Sequence, residues 1–182
     1  MLNFLARPRV QAFGRRWNYD TSYLLEILDA AGLGAILPLN ALTKISRYRR
    51  DVPASVYYAA KITTSIAADC GPCAQLCIDM AAAEGVDEKT LRALAAGDER
   101  ALGEAERLGY AFARAVLARE NADELRAAIV KRWGPRAVVS IAYGLIAAEA
   151  YPTFKYATGH GRACTRLQVG GNPLTVREKA LV

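Results

Sequence analysis

Residues 54–85, ASVYYAAKITTSIAADCGPCAQLCIDMAAAEG, decide the fold. Taken alone, Cys70-Gly71-Pro72-Cys73 invites a thioredoxin-like reading, in which the cysteine pair follows a β-strand inside a βαβ unit. The flanking residues refuse it. Upstream, Pro53 can sit in the first turn of a helix covering roughly residues 54–68; downstream, a new helix starts near Gly71 and stops at Gly85. The cysteines therefore stand at a helix–helix junction.

Helical periodicity dominates the rest of the chain, and no alternating run flanked by turn signals suggests a strand. The 182 residues read as one all-α domain spanning 1–182. Residues 1–19, with Pro8 and Gly14, read as an irregular N-terminal segment. Asp20, Thr21 or Ser22 can cap a helix through about Ala31 that ends at Gly32. A second apolar segment runs from Leu33 to about Tyr48, bent or split at Pro38. Val86-Asp87-Glu88 opens a short helix ending at Gly97, and Asp98 caps a longer one from about Glu99 to Arg119, with Leu102, Ala105, Leu108, Phe112 and Val116 as its apolar stripe. Asp123 begins a helix to Trp133, Gly134-Pro135 breaks the chain, and a last helix runs from about Arg136 to Ala157. From Gly159 to Val182 the glycines and Pro173 suggest an extended C-terminal arm that wraps a neighbouring subunit or stays partly mobile.

Composition bounds the function. A chain that is 53% hydrophobic and 23% charged is ordinary for a globular protein. No segment holds the roughly 18 to 20 uninterrupted apolar residues of a membrane span, and Met1 to Leu5 is too short for a signal peptide. No membrane partner is expected, and the expected compartment is the cytoplasm, where a CxxC is catalytic or metal-binding more often than a structural disulfide. The net charge of +6 includes Arg7, Arg9, Arg15 and Arg16 near the start and Arg47, Arg49 and Arg50 further on. These do not gather on one helix face, and the aromatic signatures of RNA binding are missing, so nucleic acid is not an expected partner. An acidic partner or a subunit contact suits the charge equally well.

Chemistry concentrates in Asp69-Cys70-Gly71-Pro72-Cys73-Ala74-Gln75-Leu76-Cys77. Thiols at i and i+3 share a helix face and can form a disulfide or share a metal, and Cys77 continues that face. A cysteine at a helix N-terminus meets unpaired amides and the positive end of the dipole, which favour thiolate, and Cys70 is so placed. Cys73, one turn further in, can attack a mixed disulfide or sulfenic acid on its partner. Either sulfur can be the nucleophile, depending on which is more exposed. Asp69 can cap the helix or receive the thiol proton. No cofactor or metal is expected, although Cys77 with His160 or Cys164 could complete a cysteine-rich zinc site. Cys77 and Cys164 can also be plain buried apolar residues.

With these residues in view, the chain resembles the carboxymuconolactone decarboxylase and alkylhydroperoxidase D (AhpD-like) superfamily of all-helical proteins, from roughly Pro53 to Gly159. The resemblance rests on order: a helix, the CxxC opening the next, Val86-Asp87-Glu88-Lys89-Thr90-Leu91-Arg92-Ala93-Leu94 with Gly97-Asp98, a long Ala-rich helix, then Trp133-Gly134-Pro135 and a closing helix. It implies an AhpD-like helical bundle, a homo-oligomer that is commonly a trimer or hexamer, and a thiol oxidoreductase that reduces a hydroperoxide or protein disulfide at the expense of a thiol reductant protein. The family's peroxidases carry a Glu, eleven residues, Cys, two residues, Cys, three residues, His. Here the cysteines match Cys70 and Cys73, whereas the Glu position is Tyr58 and the His position is Cys77. Tyr58 could donate a proton, Cys77 could act as a third redox thiol, and Tyr143 or Glu149 on the last helix could supply the relay. The competing expectation is a non-catalytic oligomeric binding protein with structural or zinc-bound cysteines.

Overall fold

Glycine and proline divide the chain into helices. The computed structural model describes residues 3–161 and 167–173, and among them runs α1 (Asn3–Trp17), α2 (Ser22–Ala31), α3 (Leu33–Ser46), α4 (Ala54–Ala67), α5 (Gly71–Ala83), α6 (Glu88–Ala96), a 3-10 turn (Glu99–Ala101), α7 (Glu104–Leu117), α8 (Asp123–Trp133) and α9 (Pro135–Ala157). A two-stranded antiparallel hairpin follows, β1 (Gln168–Val169) with β2 (Asn172–Pro173). The molecule is a single all-α domain. Gly32 and Gly134, both at positive φ, separate α2 from α3 and α8 from α9, and Pro135 takes the first turn of α9, where its missing N–H is not needed.

The centre of the domain is α4, which packs on α5, α7 and α9. Every residue from Val56 to Ser65 is buried, the pattern of a helix surrounded on all sides. Its polar residues are satisfied locally: Thr63 and Thr64 donate to the carbonyls of Ala59 and Ala60, and Lys61 donates to Ser46 Oγ at 2.9 Å. Two glycines let neighbouring helices close on this axis. A Cβ on Gly109 of α7 would stand 2.6 Å from the Val56 carbonyl oxygen, and one on Gly144 of α9 would stand 2.9 Å from the Tyr57 ring.

α6 begins and ends as its residues dictate. The Asp87 carboxylate accepts from the Thr90 amide at 2.8 Å and from the Thr90 hydroxyl at 2.7 Å, and Gly97 closes the helix in the left-handed region. These bonds, the backbone one first, lower the Asp87 carboxyl from its ordinary range. The folded pKa lies below the unfolded one, so the stabilisation is complete above the unfolded value and disappears as pH falls through the folded value. Asp87→Ala should cost about 1 kcal/mol at neutral pH and progressively less in acid, as read from urea melts across pH.

Three expectations are corrected. Residues 3–17 form α1 rather than an irregular segment: Pro8 removes one backbone donor, and Gly14 makes room for the turn that follows the helix. A Cβ at Gly14 would stand 2.9 Å from the Tyr19 carbonyl oxygen, and its own carbonyl accepts from the Tyr19 amide. Asp98 caps only the 3-10 turn, because Leu102 turns extended to bury its side chain and α7 starts afresh after Gly103. Within the C-terminal arm, residues 167–173 are a hairpin folded on their own chain. The Gln75 side chain accepts from the Gln168 amide and donates to its carbonyl, and Arg92 donates to the Val169 carbonyl, while Leu167 and Val169 are buried. Pro38 lies inside an unbroken α3.

By length and mean hydropathy α9 meets the requirement for a membrane span, the one described helix that does, although Lys155 and Glu149 lie on it. Ile141, Leu145 and Ala148 of this helix are buried in the domain.

Candidate redox site

The site begins with how α4 stops. Asp69 takes the left-handed conformation at φ 56°, its amide bonds to the Ile66 carbonyl, and the Cys70 amide bonds to the Ser65 carbonyl. These two bonds form a Schellman motif, which turns the chain sharply and delivers Cys70 as the residue preceding α5. Cys70 is then the N-cap of α5: its sulfur accepts from the Cys73 amide at 3.3 Å. Asp69 is therefore the turn residue, and the contact to the Cys73 amide is made by the Cys70 sulfur. Tyr156 of α9 donates to the Asp69 carbonyl at 3.3 Å and braces the turn.

Cys70 and Cys73 form a disulfide across this first turn, with Cα atoms 5.2 Å apart. Both are buried, at 5% and 7% exposure, so exposure does not rank one above the other as nucleophile. Position does. The N-cap amide contact and the helix dipole act on Cys70, whose sulfur is the one better stabilised as a thiolate.

Cys77, one turn beyond Cys73, is a buried free thiol 3.6 Å from the hydroxyl of Ser65, itself fully buried on α4. That contact sets the register of the antiparallel α4–α5 pair and places Tyr58 far along it. The Tyr58 hydroxyl donates to Glu84 Oε1 at 2.5 Å, at the opposite end of α5 from the disulfide, and Glu84 in turn pairs with Arg49 at 2.6 Å. Burial raises the Tyr58 pKa and the Glu84 bond raises it further. Tyr58 thus packs beside Cys77 without its proton reaching the cysteine pair. Tyr58→Phe should cost about 1 kcal/mol in denaturant melts by removing this charge-assisted bond, and leave the rate of disulfide reduction unchanged.

The other relay candidates are dispersed. Tyr143 stacks edge-on against Tyr48, Glu149 is exposed, and His160 lies 3.8 Å from Glu26. Cys164 lies outside the described residues. Among the described residues no three His, Cys, Asp or Glu side chains group as metal ligands.

One neighbouring residue escaped the sequence reading. Lys155 of α9 is only 5% exposed, and its ammonium sits 5.5 Å and 5.0 Å from the ring centres of Tyr19 and Tyr23. Burial lowers its pKa, opposed in part by Asp20. Burial likewise raises the pKa of Tyr19. A lysine in the last turn of a helix usually neutralises the dipole, and only the tertiary fold shows this one turned inward. Compared with family models, curated proteins and solved structures, the chain matches none.

Proposed function

We propose that the protein is an AhpD-like thiol oxidoreductase in which Cys70 and Cys73 cycle between dithiol and disulfide. One observation carries this reading: the two sulfurs form a disulfide across the first turn of α5, with the Cys73 amide directed at the Cys70 sulfur. The order of helices and turns from Pro53 to Gly159 supports the family assignment, and with it a cytoplasmic homo-oligomer, trimeric or hexameric, served by a thiol reductant protein.

In the reductive half-cycle a thiolate of the reductant attacks Cys73, forming a mixed disulfide and releasing Cys70 as the thiolate held at the helix start. A second reductant thiolate attacks the reductant sulfur of that mixed disulfide, releasing Cys73 and leaving with the first as a disulfide. In the oxidative half-cycle the Cys70 thiolate attacks the outer oxygen of a hydroperoxide, or one sulfur of a substrate disulfide. An alcohol leaves after taking a proton, or a thiolate leaves; Cys73 then attacks Cys70, and the internal disulfide returns with loss of water or of the second thiol. With both sulfurs almost fully covered, the site favours a slender substrate, a hydroperoxide or an extended thiol-bearing segment, over a disulfide embedded in a folded surface.

The function is tested by adding one equivalent of an alkyl hydroperoxide, or of an aromatic disulfide, to the pre-reduced protein. Loss of two free thiols mapping to Cys70 and Cys73 is expected with at least one oxidant. Retention of both thiols with both oxidants would refute the proposal.

A further inference from the structure

α3 carries apolar residues on every side, yet Ile36 is the one buried residue among its 14. Leu39, Leu42 and Ile45 are half-buried and Leu37 is exposed. A helix apolar all round is normally enclosed, so this one holds more apolar surface than its own chain covers. α9 beside it does the same. Ile141, Leu145 and Ala148 turn into the domain, while Val139, Tyr143 and Ile146 on the outer side are 44%, 36% and 50% exposed. With the half-buried Ala150 their spacing is four, three and four residues, that of the a/d seam in a two-helix contact. The two helices form one continuous surface, because Tyr48, just after α3, packs edge-on against Tyr143, and Tyr151 bonds to Thr43.

The flanking charges identify the cover. Ser140 and Tyr151 of α9 face α3, through bonds to Arg50 and Thr43. Glu149 lies nine residues beyond Ser140, about two and a half turns at 3.6 residues per turn, and so stands exposed on the opposite flank of the seam. On the α3 flank Lys44 and Arg47 are exposed, and they fall between the Tyr151 and Tyr143 contacts, at the level of Glu149. None of these three takes part in an ion pair among the described residues. An apolar seam with cations along one edge and an anion along the other is complementary to itself. A two-fold axis parallel to α9 sets the cationic edge of one copy against the acidic edge of the next at the same level, whereas an axis across the helices sets cations on cations. An anionic bilayer fits less well, because Glu149 would face its headgroups.

We infer that α3 and α9 form the interface between two copies of this chain, paired about a two-fold axis along the Val139–Tyr143–Ile146–Ala150 seam, with Glu149 of each copy against the partner's Lys44 and Arg47. A hexamer built of three such pairs contains this axis and a trimer does not, so the pairing selects the hexamer of the two assemblies proposed above. It does not depend on the chemistry of the cysteines. Each seam residue meets its own counterpart across such an axis.

That symmetry supplies the test. Ile146→Cys in the full chain should give a covalent dimer on mild oxidation, with the disulfide mapping 146 to 146 by peptide mass spectrometry, while the unsubstituted chain and Ala101→Cys, exposed on the 3-10 turn beside α6, should not. By sedimentation velocity the unsubstituted protein should be an even-numbered assembly at micromolar concentration. Ile146→Glu, which places two carboxylates on the axis, should weaken the pairing by at least about a hundredfold. Glu149→Lys should weaken it about tenfold, and adding Lys44→Glu with Arg47→Glu should restore it. A monomeric unsubstituted chain, an Ile146→Glu variant that is folded by circular dichroism and unchanged in mass, or an Ile146→Cys variant whose new thiol does not pair with its counterpart overturns the inference. So does seam-dependent binding of a monomeric chain to phosphatidylglycerol vesicles.

Discussion

Cys73→Ser will lower thiol-dependent turnover at least about tenfold, even with Cys70 and Cys77 intact. The variant keeps a sulfur at the N-cap of α5, and that sulfur can still attack a hydroperoxide or disulfide once. It then has no partner in the same turn: Cys73 is the residue bonded to it, whereas Cys77 lies a further turn along and is engaged with Ser65. The product is a sulfenic acid or mixed disulfide on Cys70 that no internal thiol resolves, so turnover falls to the slow direct attack of the reductant on that covered sulfur. Cys70→Ser should be at least as impaired because it removes the dipole-stabilised thiolate itself. Cys77→Ser should keep its turnover. The three variants compared under multiple turnover with a dithiol reductant form the check, and undiminished cycling of Cys73→Ser would show that this sulfur is not the resolving one.

The largest effect on stability is expected at Ile62. Its side chain is completely buried on α4, the helix on which α5, α7 and α9 converge. Truncation removes its packing and leaves a cavity that these helices cannot collapse into, because Gly109 and Gly144 already bring two of them into close contact with α4. Ile62→Ala should cost about 2–5 kcal/mol, seen as a lower urea midpoint with an unchanged slope. The same change loosens the α4–α5 pair that carries the thiol site, so reduction of the disulfide should also become less selective for its native geometry.

Much of the fold was legible because its breaks are written in local chemistry. Pro53, Gly32, Gly97 and Gly134-Pro135 mark helix ends that depend on backbone conformation alone, and the apolar stripe from Ala105 to Val116 buries as its period implies. The errors arise differently. Pro8 and Gly14 look like breakers until Gly14 is seen against the turn at Tyr19, and the tail looks shapeless until Gln75 and Arg92 clamp it. The first depends on how the chain turns just after α1, the second on contacts between residues distant in sequence.

The site divides in the same way. Spacing placed Cys70 and Cys73 on one turn, and the disulfide follows from that. The role of Asp69 did not follow, because a cysteine competes for the N-cap and the left-handed turn position has no glycine to announce it. The resemblance draws Tyr58 toward the cysteines, yet Glu84 captures its hydroxyl across the α4–α5 pair. Lys155 stands more than eighty positions from the pair and had no local signal at all.

The central claim, that Cys70 and Cys73 are a reversible redox couple, is tested most directly by intact and peptide mass spectrometry of the protein before and after reduction, with free thiols alkylated. The account predicts that untreated protein labels at Cys77 but not at Cys70 or Cys73. Reduction should add the mass of two hydrogens and expose both to label, and reoxidation should reverse the change. Labelling of Cys70 and Cys73 in the untreated protein, or a disulfide that does not reform on reoxidation, would contradict it.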